Sequence, residues 1–342
     1  MNSTPAAVED SAQGQGEPLV TVVIPARNEQ AAIGPCLDSV LAQDWTNLQV
    51  IVVDGDSDDD TAAIVASYTA RDPRVELLPN PQRVIPVGLN LALAEAKGEW
   101  LVRIDAHAAV PPDYVRRAAE HLMTGRYGGV GGRKDGVGRT PAGKAIAAVM
   151  ASRFGVGGST YHHGTTVAEV EHVPFGAYPV AVARALGGWD EQLRVNQDFE
   201  FDHRVREAGH TILFDPALRI DWESRQSISD FAKQYHRYGG GKVNVAIKHP
   251  ESLKPRHLAA PALVLQVAVA LAALVSGRPG RAAVVISPYA VALAAGYATT
   301  APGLEPGARR FVVPAFLAMH LGWGIGFWRQ AGRRAAAALS RR

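Results

Sequence analysis

Cysteine is almost missing from this chain: Cys36 is the single one, which excludes an intramolecular disulfide framework. It falls in an apolar helical pattern (Ile33, Cys36, Leu37, Val40, Leu41), so it is expected to be a buried structural thiol. No block of basic residues occurs in the first 240 positions, and the formal net charge is only +2. That balance argues neither for nor against nucleic acid, and none is expected as a partner. The first 18 residues carry no apolar stretch of the secretory kind; small, polar and acidic, they are expected to form a disordered leader, 1–18. No G-x-G-x-x-G follows the first apolar run, which excludes the dinucleotide-binding fold by motif.

What is present is a strand–helix alternation. Leu19–Ile24, Gln49–Val53, Val75–Leu78 and Trp100–Ile104 are short apolar or β-branched runs. Between them, Ala31–Gln43, Thr61–Ala70 and Pro86–Lys97 have helical spacing, the last with proline near its start and Gly98 just past its end. Such alternation predicts a mostly parallel α/β sheet with right-handed crossovers, whose ligands gather outside the carboxyl ends of the strands.

Acidic residues stand at those ends. Asp54-Gly55-Asp56-Ser57 follows the second run, Asp105-Ala106-His107 the fourth, and Gln197-Asp198-Phe199-Glu200 opens a later helix that stops at Gly209. A carboxylate that ends a buried strand is costly unless it holds a ligand or a metal. Asp54 can accept from a nucleobase imide N–H, and Gly55 lets a base approach the backbone; Asp56 belongs equally well to a solvated helix start. Residues i and i+2 of an extended segment face one side, so Asp105 and His107 could share one ion, carboxylate suiting Mg²⁺ or Mn²⁺ and imidazole favouring Mn²⁺. Asp198 has the chemistry of a catalytic base, although an acid in a first helical turn also serves as a cap. Gln234 and Arg237 share a helix face ahead of Gly239-Gly240-Gly241, in a segment equally suited to lying on anionic lipid. Between Gly129 and Phe175 the chain is Gly-rich, and His162-His163 there suits a loop or the surface.

From Leu258 the composition changes. Leu258–Val275, Ala282–Thr299 and Phe311–Trp328 hold no Asp, Glu, Lys or Arg, and each approaches the roughly 18–20 residues that cross a bilayer. A membrane region over 258–328 with two to three apolar helices and a basic tail over 329–342 are expected. Three crossings would put that tail opposite a cytoplasmic N-terminal domain, against the positive-inside tendency. Pro288 and Pro314 mark the second and third stretches as the irregular ones.

Taken in order, V-V-I-P-A-R-N-E (22–29), V-V-D-G-D-S-D-D-D-T (52–61), G-L-N-L-A-L (88–93), G-E-W-L-V-R-I-D-A-H (98–107), G-G-W-D-E (187–191), Q-D-F-E (197–200) and Q-Y-H-R-Y (234–238) resemble a family 2 glycosyltransferase of the GT-A nucleotide-diphospho-sugar fold. The resemblance runs from Thr21 to about Asn244 and is strongest to membrane-attached members that extend exopolysaccharide repeats, the succinoglycan type, on a polyprenyl carrier. It implies a GT-A domain over 19–250, a mostly parallel sheet flanked by helices, followed by C-terminal transmembrane helices. It also implies an inverting transferase at the cell membrane, multi-pass, with its catalytic domain cytoplasmic and in contact with membrane lipid. A nucleotide-diphospho-sugar, a UDP-sugar foremost, is the implied donor, and a polyprenyl-linked saccharide the implied acceptor.

By the same resemblance Pro25, Glu29 and Asp54 bind the nucleotide, with Arg27 and Asp56 as further candidates at the same strand ends. Asp105 and His107 stand at the family's D-x-D metal position, Asp198 at its general base, and Gln197, Gln234, Arg237 and Tyr238 near acceptor and diphosphate. Two departures are visible: His107 replaces the second aspartate, and Tyr238 replaces a tryptophan. A polyprenyl-phosphate monosaccharide synthase and a non-catalytic nucleotide-binding membrane subunit are the alternatives.

Overall fold

The computed structural model describes residues 17–340, so most of the expected leader and the last two residues of the basic tail lie outside the described residues. In chain order the elements are β1 (Val20–Ala26), α1 (Ile33–Leu41), β2 (Leu48–Asp54), α2 (Thr61–Thr69), β3 (Val75–Pro79), α3 (Ile85–Glu95), β4 (Trp100–Arg103), β5 (Ala108–Ala109), α4 (Tyr114–Met123), β6 (Tyr127–Val137), α5 (Pro141–Met150) and α6 (Arg153–Val156). There follow β7 (Ala168–Val170), β8 (Ala177–Pro179), α7 (Val180–Ala185), α8 (Gln197–Glu207), β9 (Thr211–Glu223), α9 (Ile228–Lys248), α10 (Ala259–Val275), α11 (Pro279–Thr300), α12 (Pro306–Arg309) and α13 (Val312–Leu339).

One open sheet has the order β3-β2-β1-β4-β8-β6-β9-β5, with β7 on β9. β3, β2, β1 and β4 pair in parallel, as the alternation predicts. Beyond β4 the sheet is mixed: β8 is antiparallel to β4 and β6, β5 and β7 are antiparallel to β9, and β6 and β9 are parallel. The arrangement is a GT-A-type α/β sheet. Its two faces explain the sequence pattern. Val20, Val22 and Ile24 point into one core beneath α1 and α2, while Val23, Ile51 and Val53 point into a second beneath α3. A strand buried on both faces reads as a continuous apolar run, as β2 does. Parallel register aligns Ala26 with Asp54 and Asp54 with Pro79, so the carboxyl ends form one rim.

Three C-terminal helices are long and apolar enough to cross a membrane, and they associate the chain with it. They are not equivalent. In the apolar window of α13, 39% of residues are buried inside the protein, against 17% and 11% for the helices ending at Val275 and Gly303. Val312, Ala315, Phe316 and Met319 join the same core as Ile146, Val149, Phe231 and Tyr235. α13 runs alongside α9 in the same direction. A Cβ on Gly239 would collide with the Trp323 carbonyl, and one on Gly326 with the His236 carbonyl, so only glycine permits this approach. At the far end, Gln330 (2.9 Å) and Arg334 (3.0 and 2.9 Å) both donate to Asn244 Oδ1.

Candidate functional site

The rim of β1, β2 and β4 carries the first group of residues. Pro25 and Ala26 end β1 and Arg27 follows it, and Gly55 N–H donates to the Ala26 carbonyl (2.8 Å), which fixes the β2 exit against β1. Asp54 is buried, and its carboxylate accepts from Ser57 Oγ (2.5 Å) and Ser57 N–H (3.2 Å). Asp56 sits differently. It is exposed, has a left-handed backbone (φ 54°), and pairs with Arg83, whose Nε lies 2.9 Å away. Asp56 is thus turned toward Arg83 at the edge of the rim.

At the end of β4, Arg103 Nε and Nη2 donate to Asp105 Oδ1 (3.1 and 2.9 Å), and His107 Nδ1 lies 3.0 Å from Glu29 Oε1. These contacts occupy Oδ1 and Nδ1; Asp105 Oδ2 and His107 Nε2 are the atoms left for a cation. Asp105-Ala106-His107 is not the extended segment expected but a turn, closed by the Ala108 N–H on the Asp105 carbonyl (2.9 Å); carboxylate and imidazole donors suit Mn²⁺ better than Mg²⁺. Burial by itself would lower the His107 pKa, but Glu29 and Asp105 raise it above the usual imidazole value. A cation at this ring competes with a proton more than at an ordinary imidazole. Cys36 is buried as expected, with Sγ 3.6 Å from the Asp105 carbonyl oxygen; burial, then Asp105 and Glu29, push its pKa up to about 12. It is an inert packing thiol.

Asp198 enters from α8. Asn196, left-handed at φ 60°, turns the chain into that helix, and its Nδ2 donates to the Tyr238 carbonyl on α9 (3.1 Å). Gln234 Nε2 donates to Tyr238 Oη (3.1 Å), while Gln234 Oε1 is buried without a partner among the described residues. Burial and then Asp198 raise the Tyr238 pKa, which ties α8 and α9 electrostatically. Gln197 is buried beside Asp198. Arg237, one turn on from the buried Gln234 on α9, remains exposed.

The two acidic stations share their cations. Arg103 is buried, and its Nη1 has no protein partner among the described residues. Burial opposes its charge, but Asp105 and Asp198 both stabilise it. Lys134 of β6 lies 3.6 Å over the Trp222 ring and 5.0 Å from the Phe175 ring centre, and burial lowers its pKa to about 8 against the pull of Asp105 and Asp198. For Asp198, burial favours the neutral acid, but His172, Arg103 and Lys134 bring the carboxyl below its ordinary value. His172 Nδ1 is in turn held by Asp202 Oδ2 (2.7 Å), and Tyr178 donates to Asp202 Oδ1 (2.7 Å).

Arg103 stands in a motif already singled out, but Lys134, His172 and Asp202 carry no local signal. Only their burial beside carboxylates distinguishes them. His162 is buried against Tyr161 (4.5 Å between ring centres) and not on the surface; burial and Lys134 push its pKa well down, so it packs as a neutral ring. Among the described residues, the group whose ligand atoms converge as for a cation is His203, His249 and Glu251, within 4.8 Å of one another. There His203 Nε2 contacts Glu251 (2.8 Å) and His249 Nε2 contacts Glu200 (3.0 Å).

This geometry is that of a GT-A sugar transferase. The glycosyl transferase family 2 model matches residues 21–162 and the glycosyl transferase family group 2 model residues 100–301. The chain is 31% identical over 314 residues to the succinoglycan biosynthesis protein ExoA of Rhizobium meliloti (strain 1021), covering 90% of this chain and 94% of that one. It is 24% identical to a dolichyl N-acetyl-alpha-D-glucosaminyl phosphate 3-beta-D-2,3-diacetamido-2,3-dideoxy-beta-D-glucuronosyltransferase of Methanococcus voltae, over 66% of this chain and 73% of that one. Its fold is similar to a mannosyltransferase from Pyrobaculum calidifontis solved with GDP-Man and Mn²⁺, at a TM-score of 0.59 and 22% identity, over 91% of this chain and 88% of that chain. The chain belongs to the family 2 glycosyltransferases, and it is a membrane-associated glycosyltransferase.

Proposed function

We propose that the protein is an inverting transferase that moves a sugar from a nucleotide-diphospho-sugar, a UDP-sugar foremost, to a polyprenyl-linked saccharide in exopolysaccharide or cell-envelope glycan synthesis. One observation carries this reading: the buried Arg103 gives two hydrogen bonds to Asp105, and Asp198, far away in sequence, acts with Asp105 on the charge of Arg103 and of the half-buried Lys134. A leaving diphosphate and an attacking hydroxyl must be handled within one bond length of the same anomeric carbon, and such convergence suits both. The similarity to a succinoglycan biosynthesis protein supports the glycan context.

In this reading Pro25, Arg27, Glu29 and Asp54 receive the nucleotide, and Asp56 flanks them. Asp198, ionised at neutral pH, takes the proton from the acceptor hydroxyl as its oxygen bonds to the anomeric carbon. The carbon–oxygen bond to the diphosphate breaks on the opposite face, and the nucleoside diphosphate leaves. Arg103 Nη1 and Lys134 are the fixed donors nearest the charge that develops there. Asp105 and His107 would hold a divalent cation, which when bound neutralises charge on the departing diphosphate. Gln197, Gln234, Arg237 and Tyr238 border the acceptor.

Packing supports one topology. α9 carries Asp230, Lys233, His236, Arg237 and Lys248, so neither it nor the α13 face packed on it belongs in hydrocarbon. In this reading α10 and α11 cross as a hairpin while α13 lies at the interface with the catalytic domain. Lys254, Arg256, Arg309, Arg310, Arg329, Arg333 and Arg334 then share one side, opposite Arg278 and Arg281. That side is the cytoplasm by the positive-inside tendency, which removes the conflict raised by three crossings.

The test is nucleoside diphosphate release by detergent-purified protein with a panel of UDP- and GDP-sugars, a lipid extract as acceptor, and Mn²⁺ or EDTA. Asp198→Asn is expected to bind donor normally but to transfer about 10²–10⁴-fold more slowly. A folded Asn protein working at the wild-type rate would sink the role given to Asp198.

A further inference from the structure

Around Phe199, the residue that follows Asp198, lies a second concentration of positive charge. Lys242 of α9 is buried, with Nζ 3.7 Å over the ring centre of Phe199, the residue that follows Asp198. Its protein partners are neutral: the Ser252 carbonyl (3.0 Å) and Ser252 Oγ (3.4 Å). A buried ammonium with only neutral partners is poorly compensated. Burial, then Arg256, lower its pKa to about 7, with Arg206 and Lys254 adding to the effect and Glu171 the one acid opposing it. Glu171 is already engaged, by Arg256 and by Lys254 Nζ (3.7 Å).

His257 completes the group. Its Nδ1 accepts from the Lys254 N–H (3.0 Å), so Nε2 carries the proton, and its ring stands 6.0 Å from that of Phe199. Burial, Lys242 and Arg256 hold its pKa down to about 3, so it donates as a neutral imidazole. The 3-10 turn Pro255–Leu258, which carries Arg256 and His257, runs directly into α10. The charges therefore sit where the chain enters the apolar helix α10, packed on the residue that follows the proposed base.

We infer that Lys242, Arg256 and His257 form the subsite for the diphosphate of the lipid-linked acceptor. The inference rests on the reading above that the acceptor is a polyprenyl diphosphate saccharide. A dianionic headgroup held at the membrane surface satisfies the Lys242 ammonium, draws on the guanidinium and imidazole donors, and leaves the distal sugar hydroxyl facing Asp198. The buried position of Lys242 selects for a group that reaches into the protein. A general anionic surface would need only the exposed Arg256 and Lys254.

The experiment uses the full chain in detergent and measures binding of polyprenyl diphosphate in mixed micelles by thermophoresis. Inorganic pyrophosphate and phosphatidylglycerol serve as competitors. Wild type is expected to bind, with pyrophosphate competing and phosphatidylglycerol at equal charge not competing. Lys242→Met and, for a variant at an exposed position, Arg256→Gln are each expected to weaken binding about tenfold to a hundredfold. Nucleoside diphosphate binding, unchanged in both, reports that they are folded. Variants that bind like wild type, or equal competition by phosphatidylglycerol, overturn the subsite while leaving the lipid acceptor intact. A wild type that binds nucleotide but no polyprenyl diphosphate overturns the acceptor reading and the subsite together.

Discussion

Arg103 and Asp105 form a buried ion pair two residues apart along the end of β4, with the guanidinium giving two hydrogen bonds to one carboxylate oxygen. The Arg103 side chain is 5% exposed and that of Asp105 16%, so neither charge is solvated freely. Breaking such a pair from one side strands the other charge. Asp105→Asn is expected to lose donor turnover and also about 3 kcal/mol of stability. Adding Arg103→Met should restore most of the stability and none of the activity. Thermal unfolding of the single and double variants beside wild type checks this; a double variant no more stable than Asp105→Asn would refute it.

Lys134 gives a pH signature. Its pKa is about 8, so it is charged below that pH and loses its charge as pH rises through it. If the cation helps hold the donor diphosphate, the donor KM rises above this pH. Lys134→Arg should keep KM flat into the alkaline range, because a guanidinium stays protonated. Lys134→Met should have a high KM at all pH values. An unchanged alkaline limb in the Arg variant would exclude Lys134 as its source.

The α9–α13 contact predicts a packing defect. Gly326→Ala forces a methyl against the His236 carbonyl. The expected loss is about 1–3 kcal/mol, as for other overpacked sites. The measurement is the thermal midpoint in detergent, with limited proteolysis of the C-terminal helix. Gly332→Ala, at an open position on the same helix, should be neutral or slightly stabilising.

The topology can be read with cysteine labels, since Cys36 is 1% exposed and should stay silent. In intact cells a membrane-impermeant maleimide should label Ser276→Cys, between α10 and α11. It should reach Arg333→Cys only after lysis. Labelling of Arg333→Cys in intact cells would mean that α13 crosses.

The strand–helix order from β1 to β4 was legible because parallel buried strands are continuous apolar runs and their helices carry clear end signals. The acidic stations were legible for a related reason: a carboxylate directly after four apolar residues, as at Asp54, has few structural excuses. Beyond β4 the reading weakened, since β6 begins with glycines and β8 spans only Ala177–Pro179. Neither length nor pattern announces an antiparallel pairing there.

The sequence alone determined the class of fold, the three acidic stations and the apolar character of the C-terminal helices, because each depends on local composition and spacing. Tertiary structure decided which groups meet. Lys134, His172 and Lys242 gain their meaning from carboxylates and rings brought to them by distant elements, and a charge acquires its energy from its surroundings. It also decided the fate of α13. An apolar helix reads the same whether lipid or protein covers it, and only the glycine-to-carbonyl fit with α9 shows that here protein covers one face.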